Sequence, residues 1–266
     1  MNEAHQRRRF QSTVVYYQRY RLGYPDRLIA RVARLSGLQP GDPVLDLGAG
    51  TGMLAVGFAK LGMAVTAMDP EPAMLAECEE AARAAGVTVC LRQGSSSDLS
   101  VSMGHFRLVT MGRSFHWMDR AATLEMLEHV VTQDGGVALF HDSHPPVAEN
   151  SWFKVMREVQ DRFGRSDEPH IKERRSNHAR YEPFLFASQF RQLDGLSVTV
   201  RQPLTIDDLV GRAFSMSTCS REKLGDRADE FASVLSAALR ELSPDGKFVE
   251  VAELVALLAR RPGADA

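Results

Sequence analysis

The chain has 266 residues, 44% hydrophobic and 25% charged, with a formal net charge of −2 at pH 7. That length accommodates one domain or two small ones, and the apolar fraction suffices for a sizeable core. The near-neutral balance excludes a global field favouring nucleic acid or an anionic membrane, and the short basic clusters at 7–9 and 172–175 read as solvated faces.

In chain order, the opening "YYQRYRLGYPDRLI" precedes the first clear strand, "PVLDLG" at 43–48, an apolar run closed by glycine. Leu54, Phe58 and Leu61 then share one helical face over 52–61. "MAVTAMD" (63–69) is a second strand ending in an acid. Residues 70–86 form a helix with proline at its start, acids early and Gly86 as its stop. Strands follow at 87–92, 106–112 and 136–142, with a helix at 119–132 before the last. Strands alternating with helices predict a parallel sheet with right-handed crossovers.

After Pro145 and Pro146 the rhythm changes. The pattern predicts a helix at 149–163, a polar lid over 164–190 carrying His178, Arg180 and Tyr181, and a strand at 196–202. Helices follow at 205–217 and 221–242, and 246–258 suits a final strand, the preferred reading at its start, or a helix. Cys78, Cys90 and Cys219 are widely spaced, odd in number and without zinc-type spacing, which argues against disulfides and a structural metal. The N-terminus carries no apolar segment after its charges, and no run approaches membrane-spanning length, so a cytoplasmic location is expected.

"VLDLGAGTGML" (44–54) demands a ligand reading, because three glycines after a strand imply a sharp bend and a close backbone approach. The dinucleotide fingerprint needs G-x-G-x-x-G, whereas Gly48, Gly50 and Gly52 are spaced more tightly, and the Gly-Lys-Ser/Thr of a phosphate loop is missing. Asp69, ending the second strand, suits the two hydroxyls of any adenosine ribose. Asp46 lies inside an apolar strand, where an unpaired carboxylate is costly. It either faces an ammonium group, directly or through water, or caps a nearby loop through backbone N–H groups.

Together "VLDLGAGTG" and "AMDPEPAML" resemble motifs of class I S-adenosylmethionine-dependent methyltransferases, and "FRLVTMGRSFHWMD" and "DGGVALF" resemble that family's fourth and fifth strand regions. The resemblance covers roughly residues 20–142. It implies a Rossmann-like, doubly wound α/β sheet of seven strands, mostly parallel, with a lid insertion after the fifth. Within one methyltransferase domain it implies a helical cover (1–40), a cofactor core (41–143), a lid (144–195) and a C-terminal part of the sheet (196–266). S-adenosylmethionine is the implied cofactor and S-adenosylhomocysteine its product.

The implied cofactor contacts are Asp46, Gly48, Ala49, Gly50, Gly52, Asp69, Pro70, Met74, Ser95, Ser96, Met111 and Arg113. Family members carry an acid directly after the glycine of the third-strand loop. Here Ser95 holds that place, and Asp98 three residues later either substitutes for the acid or caps a short turn. His116 and Tyr17 are the candidates near the transferred methyl, with His116 either a base or an orienting group. Tyr16, Tyr20, Phe115, Trp117, His141 and His144 are the candidates for the acceptor side. The acidic pattern of metal-dependent relatives is missing around His141 and His144, so no metal is expected. The expected partner is a small-molecule acceptor, without nucleic acid or membrane, in a monomer or homodimer. Methylation of tRNA or protein, a non-catalytic protein that binds the same cofactor, and an NAD binder are the alternatives.

Overall fold

The computed structural model describes residues 13–164 and 181–263. Most of the expected lid, with His178 and Arg180, and both basic clusters lie outside the described residues.

Seven strands form one sheet in the order β3-β2-β1-β4-β5-β7-β6. They are β1 (Pro43–Leu47), β2 (Ala64–Asp69), β3 (Cys90–Gln93), β4 (Phe106–Gly112), β5 (Val131–Ser143), β6 (Gln192–Thr205) and β7 (Lys247–Arg260). The first five pair in parallel, as β1 with β2 and β4, β2 with β3, and β4 with β5. The sheet is mixed, with β7 antiparallel. Strand order reverses between β1 and β4, and the crevice outside the carboxyl ends of such strands is where ligands bind in open sheets. The loops after β1 and β4 both start there.

By contacts the chain divides into two units. Among described residues the core unit comprises 23–142, 181–198 and 254–263, and the second unit 13–22, 143–164 and 199–253. This division does not follow the consecutive segments read from the sequence.

The core unit holds helices α2 (Asp26–Leu35), α3 (Met53–Lys60), α4 (Pro72–Ala84) and α5 (Arg120–Val130). The third expected strand is shorter and later than the 87–92 run. Leu45, Leu47, Val109, Leu127, Val137 and Leu139 are fully buried in its hydrophobic core. Residues 181–190, expected in the lid, belong to this core. They include the short helix α7 (Glu182–Phe186), and both Leu185 and Phe190 are completely buried with β4, β5 and α5. Arg261 donates to the carbonyls of Glu128, Val131 and Thr132, supplying cationic donors to the otherwise unsatisfied end of α5.

The second unit contains α1 (Val14–Tyr20), α6 (Ser151–Arg162), α8 (Ile206–Phe214), α9 (Arg221–Leu224) and α10 (Ala228–Leu242). Trp152, Met156, Leu209, Phe231, Leu235 and Leu239 build its own core. The sequence pattern suggests one helix over 221–242, but a short 3-10 turn interrupts it at Gly225, whose φ of 54° and ψ of −132° no helix adopts. Among the described residues no helix is long and apolar enough to cross a membrane.

Glu250 on β7 is fully buried in this second core. It accepts from both guanidinium nitrogens of Arg212 on α8, from Gln202 Nε2 at 2.6 Å, and meets His144 Nε2 at 2.7 Å. Burial alone raises its pKa, but the hydrogen bonds from His144, Arg212 and Gln202 and the charge of Arg212 outweigh it and hold the carboxyl at about 2, against an ordinary 4.5. The stabilisation from that depressed pKa is complete above the unfolded value and is lost as pH falls from about 4.5 through about 2. Glu250→Gln strands the buried Arg212 cation, so urea unfolding of the variant is expected to show a loss of about 3–5 kcal/mol at pH 7. An unfolding midpoint equal to the parent's contradicts this role.

Candidate functional site

The site is built on the bend after β1. The N–H groups of Gly48 and Ala49 donate to the Met68 carbonyl at 2.8 and 3.0 Å, which ties the loop to the end of β2. Gly50 N–H donates to Asp69 Oδ2 at 2.8 Å, and Glu71 N–H donates to Oδ1 of the same carboxylate at 2.9 Å. Gly48, Gly50 and Gly52 have φ of 70°, 54° and 82°, a region that side chains rarely adopt. Their surroundings differ. A Cβ on Gly48 would lie 2.5 Å from Ser114 Cβ, and one on Gly52 would lie 2.5 Å from Cys78 Sγ. A Cβ on Gly50 would meet nothing within 4 Å, so this glycine faces open space.

Each Asp69 oxygen accepts one backbone hydrogen bond, and a carboxylate has about four lone-pair sites, so acceptor capacity remains for further donors. Burial, more than its neighbours, pushes the Asp69 carboxyl above its usual range. Pro70 follows it directly. Met74 is buried on α4, and Glu71 caps that helix by accepting from Ala73 N–H at 3.4 Å.

Asp46 Oδ1 accepts from Thr110 Oγ1 at 2.9 Å, and its Oδ2 accepts from Ala55 N–H, in the first turn of α3, at 3.0 Å. Of the two sequence readings, these contacts are those of a cap. Burial, with the charge of Asp69 adding to it, outweighs these two hydrogen bonds and raises the carboxyl to about 7. Asp98 also caps, since its Oδ2 takes Ser95 N–H at 2.8 Å and Ser95 Oγ at 2.9 Å around a 3-10 turn (Ser96–Asp98). Ser95 and Ser96 are both half-buried beside it.

After β4, Arg113 is the one described residue other than glycine with a positive φ, at 56°. Its Nη1 donates to Asp142 at 3.1 Å, its Nη2 to Met53 Sδ at 3.3 Å, and its guanidinium lies 4.8 Å from the Tyr24 ring centroid. Ser114 Oγ donates to the Leu47 carbonyl at 2.8 Å, pinning this loop against Gly48. His116 and Trp117 are half-buried in a 3-10 turn, with ring centroids 4.8 Å apart.

Two expectations change in character. The Met111 and Phe115 side chains, read as cofactor and acceptor contacts, are each 1% exposed and belong to the hydrophobic core, with Phe115 edge-on to Tyr181. Residues 108–111 of β4 are all buried, so Met111 has only its backbone available to a ligand. His141 lies in the core unit, 6.1 Å from the Tyr181 ring. Tyr16, Tyr17, Tyr20 and His144 belong to the second unit. There Tyr16 packs on Phe214 and accepts from Arg221, Tyr17 lies under Arg21, Tyr20 packs on Gly211, and His144 stacks on Phe153 and joins Glu250. Sequence reasoning missed Ser114, Tyr24 and Glu71, whose partners are distant or backbone groups with no periodic signature. Among the described residues no group of three or more His, Cys, Asp or Glu converges as a metal site.

The reversed strand order, the glycine bend with one open face, and the acid closing β2 bring a backbone bend and a carboxylate together at the strand ends, where open sheets bind ligands. Residues 44–135 match the family model described as a methyltransferase domain, and that segment carries a class I S-adenosylmethionine-dependent methyltransferase domain. An uncharacterized methyltransferase of Mycobacterium tuberculosis is 29% identical over 159 residues, 58% of this chain and 60% of its own length, so the match spans about three fifths of that relative. A ubiquinone biosynthesis O-methyltransferase of Methylocella silvestris is 30% identical over 44% of each chain. Among solved structures, a methyltransferase of Thiobacillus denitrificans in complex with S-adenosyl-L-homocysteine shares the fold, with a TM-score of 0.54 and 18% identity over 95% of this chain and 98% of that one.

The three glycines are expected to respond differently to a methyl group. Gly50→Ala meets only the left-handed backbone penalty, about 1–2 kcal/mol. Gly52→Ala adds a collision with Cys78, so thermal unfolding should show a larger loss for Gly52→Ala. Equal losses contradict the packing assigned to Gly52.

Proposed function

We propose that the protein transfers a methyl group from S-adenosylmethionine to a small-molecule acceptor. The observation that carries this reading is the open face of Gly50 beside an Asp69 carboxylate that is already fixed by two backbone N–H groups. The cofactor supplies a methyl group activated by its sulfonium, so the protein's task is largely alignment. In this reading the loop 48–52 admits the amino-acid end to the backbone, Asp69 accepts from the ribose hydroxyls, and Ser95 and Ser96 present backbone groups to the adenine edge near Pro70 and Met74. Arg113 binds the cofactor as well. The near-neutral charge of the chain favours a small acceptor over nucleic acid. The relative named for ubiquinone biosynthesis supports the same choice.

Titration calorimetry with S-adenosylhomocysteine tests the reading. Binding is expected, with Asp69→Ala weakening it by roughly 10–100-fold, the worth of hydrogen bonds to a charged group. No heat at millimolar ligand overturns the proposed activity, and an affinity unchanged in Asp69→Ala moves the ribose contact elsewhere.

His116 orients its loop in this reading, because its ring rests on Trp117 in a short turn. With an acceptor found by screening amines and phenols against methyl-labelled cofactor, His116→Ala should lower turnover by less than about 10-fold and leave the pH profile unchanged. A loss of roughly 10²–10⁴-fold, with the limb near the imidazole pKa abolished, makes His116 the general base instead.

A further inference from the structure

The polar network around Glu250 in the second unit has one open end. Oε1 of Glu250 accepts from Arg212 Nη1 and meets His144 Nε2, while Oε2 accepts from Arg212 Nη2 and Gln202 Nε2. A carboxylate has about four lone-pair sites, so this one is saturated and offers nothing to a ligand. Its carboxyl sits at about 2, so at neutral pH it is charged and only accepts. Nε2 of His144 therefore carries the proton in that contact. In the neutral ring the other nitrogen, Nδ1, is left with a lone pair.

The ring is held on several sides. It stacks on Phe153, with centroids 4.6 Å apart, and meets Trp152 edge-on at 5.5 Å. Its stretch of chain is fastened to β7. Ser143 Oγ donates to Glu253 at 3.4 Å, Asn150 exchanges hydrogen bonds with both backbone groups of Val251, and Trp152 Nε1 donates to the Val249 carbonyl at 3.2 Å. The charged groups around the ring are Glu250 and Glu253 on β7, Arg212 on α8 behind Glu250, and Arg157 on α6, whose guanidinium lies 4.2 Å from the Phe153 ring centroid. Among the described residues none hydrogen-bonds Nδ1, and that atom is not buried, although the side chain is only 10% exposed. Pairing and packing thus fix the plane of the ring, its tautomer and one accessible lone pair. A carboxylate that holds one ring nitrogen while the other is open is the arrangement that makes histidine an efficient base.

His144 directly follows β5, and the carboxyl ends of parallel strands are where open sheets take ligands. We infer that His144 is the general base for the methyl acceptor, with Glu250 as its positioning residue, and that the acceptor atom is an oxygen or nitrogen carrying a proton. This rests on the reading of the protein as a methyltransferase. The acceptor's proton passes to Nδ1 while its lone pair forms the new bond to the methyl carbon. The carbon–sulfur bond breaks with its electron pair going to sulfur, which leaves neutral S-adenosylhomocysteine. Glu250 stabilises the imidazolium until the proton is returned to water. Nucleophiles with no proton to lose, such as thioethers and tertiary amines, are not acceptors on this account.

Two measurements test the inference on the full chain. In the ligand-free protein, heteronuclear NMR spectra of the histidine rings report the tautomer directly, with His144 assigned through its contacts to Trp152 and Phe153. The neutral ring should carry its proton on Nε2, and a proton on Nδ1 overturns the inference without any variant. The second measurement uses a protic acceptor from the screen of amines and phenols, with a thioether and a tertiary amine alongside. His144→Gln keeps a donor for Glu250 but has no base. It should lower kcat by roughly 10²–10⁴-fold while S-adenosylhomocysteine affinity stays within about twofold of the parent's. Turnover of the parent should fall on acidification as solvent protonates Nδ1, and that limb should vanish in the variant. A kcat loss below about tenfold, a limb that survives, or a screen that methylates no protic compound overturns the inference. Failure of S-adenosylhomocysteine to bind the parent is a different result, since it removes the methyltransferase reading itself.

Discussion

The Asp69 carboxylate holds the site together. Its two oxygens take the N–H of Gly50 from the β1–α3 bend and the N–H of Glu71 from the start of α4. One side chain thereby joins the carboxyl ends of β1 and β2, and the parallel register Leu47 to Met68 brings those ends level. The backbone N–H groups that it satisfies have no strand or helix partner at such a bend, where an unmet buried donor is costly. The conformation that exposes Gly50 to open space is thus fixed before any ligand arrives. The remaining lone pairs of the carboxylate are the ones proposed to face the ribose.

The two units solve the same electrostatic problem in opposite ways. Each buries an acid on a strand, Asp46 on β1 and Glu250 on β7. Glu250 is surrounded by donors that include the guanidinium of Arg212, and its carboxyl sits at about 2. Asp46 has only a hydroxyl and an amide N–H, and burial leaves it at about 7. A charge already compensated is a structural fastener. One that is not compensated lies close to its ionisation point at neutral pH, and a nearby cation would lower its pKa and favour the charged form. Asp46 lies two residues before Gly48, on the strand that leads into the glycine bend. Cys78, packed under Gly52, shows the same cost of burial from the thiol side, being pushed up to about 12 and so kept protonated and inert.

The cofactor loop was legible in the sequence because it depends on backbone geometry, and glycine spacing after an apolar strand reports that directly. The first two strands, the helices of the alternating part and the strand 106–112 follow for the same reason, since period and stop signals lie within each segment. Other features depend on partners remote in sequence. Residues 181–190 read as a polar lid, yet Leu185 and Phe190 fill the core, and nothing local tells a buried turn from a cover. Gly225 breaks a run whose apolar spacing continues across it. Glu250 did leave a trace, for it occupies the inward register of β7 with Phe248, Ala252 and Leu254. An acid in such a register calls for a buried cation, but the sequence does not say that Arg212 supplies it. Arg113 is similar. Its place after β4 was visible, whereas its ties to Tyr24, Met53 and Asp142 exist only in the fold.

A crystal structure grown with S-adenosylhomocysteine tests directly whether the cofactor lies between Gly50 and Asp69. Ligand density is expected against the open side of Gly50, with both ribose hydroxyls within hydrogen-bond distance of Asp69. Density bound elsewhere on the molecule, or a ribose turned away from Asp69, would contradict it.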